Sequence, residues 1–99
     1  MQHVGGFCIA DDHPSLPGHF PGRPIVPGVV LLDAAFALIL ARQPGRTVIA
    51  VPSVKFTLPV RPGQDVEVSC DDSGGRVAFA CTVDGRNVLR GSVVLGTRP

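Results

Sequence analysis

The chain has no tryptophan and no tyrosine, so five phenylalanines are its whole aromatic content. Its nine Lys and Arg residues are spread from Arg23 to Arg98 without forming a block. Clustered cations with stacking aromatics, the footprint of nucleic-acid binding, are therefore missing. Long apolar runs are missing too: residues 28 to 41 are the longest, too few to span a bilayer and interrupted by Asp33. The opening, MQHVGGFCIADD, has neither the basic region nor the apolar region of a secretory signal, so a soluble, cytoplasmic protein is expected. Cysteine is scarce. Cys8, Cys70 and Cys81 make an odd count with no CxxC pair and no histidine at ligand spacing, which predicts buried thiols in a reducing compartment. His13 and His19 are six apart on a proline-rich stretch, match no common zinc spacing, and leave no metal expected.

What is present suits one compact domain over residues 1–99. With 44% apolar and 17% charged residues the chain lies outside the disordered range, and it carries no internal repeat, low-complexity tract or linker. A short apolar run from Val4 to Ala10 stops at Asp11-Asp12, as a first strand does. Prolines 14, 17, 21, 24 and 27 then forbid a helix and weaken any strand ladder, leaving an extended loop. Pro27-Gly28 is a helix entrance. The following VVLLDAAFALILAR is apolar on every side, which predicts a buried helix, and Arg42 with Gln43-Pro44-Gly45 ends it.

Beyond the helix the period changes from 3.6 to 2. Phe56, Leu58 and Val60 alternate with polar residues or proline, as do Val66, Val68 and Cys70, and then Val77, Phe79, Cys81 and Val83 share one face. Pro62-Gly63, Asp71 to Gly75 and Asp84-Gly85 supply the turns. The predicted order is strand, loop, helix and four antiparallel strands. That is an α+β architecture in which a five-stranded antiparallel sheet wraps one long buried helix. Such a sheet leaves edges that are commonly covered by another copy, so a homodimer is expected.

Two proton-moving groups stand out. His19 sits between Gly18 and Phe20 among prolines that restrict it, a sensible mount for a group whose position matters, although a loop histidine bonded to a backbone carbonyl has the same appearance. Asp33 lies beyond the first helical turn, where neither capping nor the helix dipole accounts for it. A buried carboxyl group there needs a partner, a dimer interface, a water-lined cleft or its own proton. A base and a proton-bearing acid together suit elimination of water. Gly28, at the positive end of the helix, offers backbone N–H groups that can polarise a carbonyl, with no side chain in the way.

The stretch GHFPGRPIVPGVVLLDA resembles the signature of the 3-hydroxyacyl-acyl-carrier-protein dehydratases, roughly GHFPxxPVMPGVLxxEA, whose fold is the hotdog. VKFTLPVRPGQDVEV is similar to that family's RFKRPVxPGDxL region. The resemblance implies a (3R)-3-hydroxyacyl thioester on a phosphopantetheine-bearing acyl carrier protein as substrate and a trans-2-enoyl thioester as product, with no cofactor. It implies His19 as base on the carbon next to the thioester, Asp33 as acid to the departing hydroxyl, and the Gly28 N–H on the thioester carbonyl. His19 and Asp33 would come from different subunits. Phe20, Pro27 and Val29, flanking these positions, are candidate substrate contacts, and Arg23 and Arg61 are candidates to meet an acidic carrier.

Four departures accompany the likeness. Asp33 replaces the usual Glu, Ala37 replaces a frequent glutamine, an N-terminal segment of typical members is missing, and there is no tyrosine to gate an acyl tunnel. The chain is most similar to short dehydratases of specialised pathways such as aryl-polyene pigment synthesis. A hotdog thioesterase and a non-catalytic subunit of a mixed dehydratase dimer are the alternatives, since one fold hosts several activities. Tunnel dimensions are expected to depend on the packing of Phe36, Phe56 and Leu58.

Overall fold

The computed structural model describes residues 1–12 and 25–97. Within them lie β1 (Gln2–Cys8), α1 (Gly28–Ala41), β2 (Arg46–Phe56), β3 (Asp65–Ser73), β4 (Arg76–Val83) and β5 (Arg86–Thr97). The strands form one antiparallel sheet in the order β1-β3-β4-β5-β2, with α1 packed across it: the α+β hotdog arrangement.

Tight turns set the register. Val83 pairs with Arg86 across Asp84-Gly85, whose φ values of 51° and 78° suit the type I′ hairpin that matches strand twist. Ser73 pairs with Arg76 across Gly74-Gly75 in the same way. The turn expected over Asp71 to Gly75 is therefore only two residues long, and Asp71 and Asp72 continue the strand. Asp72 can stay in the ladder because its carboxylate accepts from the Gly75 N–H at 3.0 Å and from the Gln43 amide at 2.8 Å. Those two donors hold its carboxyl below the usual range.

The core lies between the sheet and one side of the helix. Leu31, Ala35 and Ile39, spaced by four, meet Val66, Val68, Val77, Phe79, Cys81 and Val93. Val77, Phe79, Cys81 and Val83 do share the inner face of β4, as their alternation predicts. Each fully buried side chain of this size contributes roughly 1.5–3 kcal/mol relative to exposure. Phe36 meets Phe79 edge to face, with centroids 5.4 Å apart and planes at 83°. It is partly buried and packs against the core.

Three sequence expectations are corrected. The helix is not buried all round: Val29, Asp33 and Ala37 are exposed in the single chain. They form an i, i+4, i+8 stripe offset by two residues from Leu31, Ala35 and Ile39, hence about 200° around the axis and facing away from the sheet. The strand centred on Phe56 to Val60 instead ends at Phe56 and begins ten residues earlier, at Arg46. Its pairing with β5 shifts between Val48 and Ala50 and again between Ala50 and Ser53, and these bulges around Pro52 break the alternation that would have marked it. Finally, Cys81 is buried and Cys70 partly so, but Cys8 is exposed at the end of the edge strand β1.

Candidate active site

Pro27 sits just outside the helix, with φ −58° and ψ 142°, and its carbonyl accepts from Val30 N–H at 3.0 Å and Leu31 N–H at 3.3 Å. Gly28 and Val29, the first two helical residues, therefore present N–H groups with no acceptor inside the helix. Among the described residues no side chain caps this end. The entrance is held in place because Val26 N–H donates to the Val60 carbonyl at 2.8 Å, tying the helix start to the segment that leaves β2.

Between those two segments is a cavity of about 370 Å³. Ile25, Val26, Gly28 and Leu31 line one side, and residues 56–60 line the other. The wall is mostly apolar, so a carbonyl reaching the helix start would meet N–H donors beside apolar side chains, and such donors act more strongly the more water is excluded. Glycine is favoured at position 28 for a steric reason. A Cβ placed there would lie 2.5 Å from Cζ and 2.7 Å from Cε1 of Phe56, whose ring edge lies against the bare backbone.

The opposite wall is positioned by β5. Phe56 pairs with Leu89, Thr57 N–H donates to the Val88 carbonyl at 3.0 Å, and the Thr57 hydroxyl donates to the Asn87 carbonyl at 2.6 Å. Phe56 and Leu58 remain 49% and 43% exposed. They line the cavity at the open end of the sheet. Pro59 and Pro62 in the sequence are the signal that this segment leaves the ladder.

Of the sequence-predicted residues, Gly28 is in this cavity. His19 and Phe20 lie outside the described residues. Pro27, Val29 and Asp33 are not among the described residues that line the cavity. Asp33 is five residues along the helix from Gly28, about 7.5 Å along the axis and about 140° around it. One chain does not place these two in the same pocket. Instead Asp33 shares the outward stripe with Val29, which is 64% exposed, while β2 at the sheet edge exposes Ile49 at 65% and Val51 at 40%.

Among the described residues no three His, Cys, Asp or Glu side chains are grouped to hold a metal ion. No helix among them is long and apolar enough to cross a membrane.

Comparison with known proteins agrees with this architecture. Residues 2–92 match the model of the ApeI-like family, described as ApeI dehydratase. A 3-hydroxyacyl-[acyl-carrier-protein] dehydratase FabZ of Herpetosiphon aurantiacus is 35% identical, over 95% of this chain and 76% of that protein. The FabZ of Caulobacter sp. is 30% identical over 74% of this chain, and the match spans about half (51%) of that protein's length. Among solved structures, the dehydratase heterocomplex ApeI:P from Xenorhabdus doucetiae superposes with a TM-score of 0.78 at 24% identity, covering 94% of this chain and 84% of that one. A hexameric thioesterase from Yersinia pestis superposes with a TM-score of 0.75 at 12% identity, covering 99% and 88%. These two show the fold alone.

Proposed function

The chain belongs to the ApeI-like dehydratase family, and on that premise we propose that it removes water from a (3R)-3-hydroxyacyl thioester borne by acyl carrier protein, giving the trans-2-enoyl thioester. The observation that carries this reading is the bare Gly28 backbone opening into an apolar cavity at the positive end of α1. An N–H donor there stabilises the negative charge that grows on the thioester oxygen when the neighbouring carbon gives up its proton. His19 takes that proton. Asp33 delivers one to the hydroxyl on the next carbon, which leaves as water, so the net change is loss of one water with no redox partner.

A second copy of the chain completes the site in this proposal. The exposed Val29 and Asp33 stripe, together with the apolar residues Ile49 and Val51 on β2, an edge strand among the described residues, is the kind of surface that a like chain covers. Covering it brings Asp33 of one chain toward the helix entrance of the other, the juxtaposition that a single chain lacks. Operation in the cytoplasm, and in a polyene-type pathway, are parts of the same proposal.

Mass spectrometry on a 3-hydroxyacyl carrier protein incubated with the protein tests the reaction. Loss of one water is expected; release of the acyl group instead identifies a thioesterase, and an unchanged carrier identifies a non-catalytic subunit. His19→Ala and Asp33→Asn should each lower turnover by about a hundredfold or more while the circular dichroism spectrum is retained. Turnover near that of the unmodified protein in either variant would sink the assigned roles.

A further inference from the structure

A second groove, of about 590 Å³, adjoins the apolar cavity and shares Leu58 and Pro59 with it as a common wall. Its character is different. Beyond that wall it is lined by Arg61, Gln64, Asp84 and Arg86, with Val83 and Val88 at its base. The segment carrying Arg61 is braced: its N–H donates to the Gln64 side-chain oxygen at 2.8 Å, Gln64 N–H donates back to the Arg61 carbonyl at 3.3 Å, and Gly63 N–H donates to Ile9 at 2.9 Å. Arg86 opens β5 directly after the tight Asp84-Gly85 turn. Both guanidinium groups are therefore mounted on ordered backbone.

Among the described residues neither arginine forms an ion pair, although Asp84 lines the same groove. Two guanidiniums against one carboxylate leave the groove with a net positive charge. A pair of forked, permanently charged donors is well suited to an oxygen-rich anion such as phosphate. The apolar cavity is lined in part by Gly28, whose N–H at the helix start suits a thioester carbonyl. A ligand with an acyl thioester at one end and an anion at the other would suit both.

From this continuity we propose that the Arg61–Arg86 groove binds the phosphate of the pantetheine arm whose thioester end lies at Gly28. The assignment rests on the proposed dehydratase reading for the thioester end, and it adds the residues that read the other end of the arm. The arm crosses from one compartment to the other over Leu58 and Pro59. Arg61 and Arg86 are binding residues in this scheme, remote from the bonds that change.

Unreactive thioether probes test it without any turnover. S-hexyl 4′-phosphopantetheine and S-hexyl pantetheine, titrated calorimetrically into the full chain, differ only in the phosphate. The phosphorylated probe should bind about tenfold more tightly at low salt, as charge-assisted contacts at an exposed site allow, and raising salt should shrink that ratio. In the Arg61→Gln, Arg86→Gln double variant the ratio should fall to near one. Equal affinities in the unmodified protein, or a ratio that survives the double substitution, would overturn the assignment. So would arginine-dependent binding of the carrier protein with no preference between the two probes, because the groove would then be reading carrier carboxylates. Inorganic phosphate competing as well as the phosphorylated probe would also overturn it, since the two-ended fit would be idle. Absence of dehydration in the mass experiment leaves each of these outcomes readable.

Discussion

Replacing Gly28 with alanine should destabilise the protein, and removing the Phe56 ring should reverse the sign of that effect. The new Cβ would lie 2.5 Å, 2.7 Å and 3.1 Å from three carbons of the ring, where comfortable carbon contacts begin at about 3.5 Å. The ring must retreat by about 1 Å. It cannot do so by moving the backbone, because Phe56 is paired with Leu89 and Thr57 is bonded to Val88 and Asn87. Rotation of the half-exposed side chain is the remaining route, at about 0.5–1.5 kcal/mol for an off-rotamer position, overlapping the low end of the roughly 1–3 kcal/mol that overpacking generally costs. Alanine's better helix propensity returns a part of about 1 kcal/mol. Gly28→Ala alone should thus cost about 1 kcal/mol. In a Phe56→Ala background the clash is gone, only the propensity gain remains, and the same substitution should stabilise by a few tenths of a kcal/mol. Urea midpoints of the four proteins, at one protein concentration because an oligomer's stability depends on it, give the coupling. A cost for Gly28→Ala that is equal in both backgrounds would refute the contact.

Two more outcomes follow from the packing. Gly91→Ala should be far more damaging than Gly28→Ala, by more than about 3 kcal/mol, because its Cβ would run into the Ser53 carbonyl and lie 3.0 Å from the Val54 Cα, neither of which can swing aside; a urea midpoint close to that of the unmodified protein would contradict it. At pH 8 a thiol reagent should modify Cys8 promptly and Cys81 only after unfolding, since burial pushes the Cys81 thiol up to about 11. The raised value means the folded state keeps this proton when the unfolded chain has lost it. The associated stability is present below about pH 8.5 and is lost as pH rises toward the folded value. Urea unfolding across pH 7–11 should show a shallower alkaline decline in Cys81→Val, and parallel curves would refute the assignment.

Features set by local chemistry were legible in the amino-acid order. Pro27-Gly28 marks the helix start and Asp84-Gly85 the last hairpin, because each depends on dihedral preferences of the residues themselves. The inner face of β4 was equally plain, since Val77, Phe79, Cys81 and Val83 alternate in sequence and all four stay buried even though the pairing with β5 shifts between Cys81 and Thr82. β2 was not. Its two register shifts change which side chains face inward partway along the strand, and Pro52 argues locally against a strand that only an edge position tolerates. The strand was extended past Phe56 for a related reason: alternation continues in sequence through Leu58 and Val60 after the ladder has ended.

Asp33 presents a different limit. Composition alone cannot tell the two stripes of α1 apart, because Val29 and Ala37 are as apolar as Leu31 and Ala35, yet the first pair is exposed and the second buried. Sequence reasoning assigned Asp33 a buried environment from its apolar neighbours, whereas the fold of one chain leaves its whole stripe open. An apolar stripe left open beside an apolar edge strand is costly in water. Under the proposed dimer, the same contact that removes this cost supplies the acid missing from the Gly28 cavity. Assembly and activity should then fail together. A substitution on the open stripe away from the acid, Val29→Lys, places a charge where the second copy must pack, so it should lower dimer content and turnover in parallel. Dimer content is read by sedimentation and turnover by the carrier mass assay; full turnover from a monomeric variant would refute the shared site.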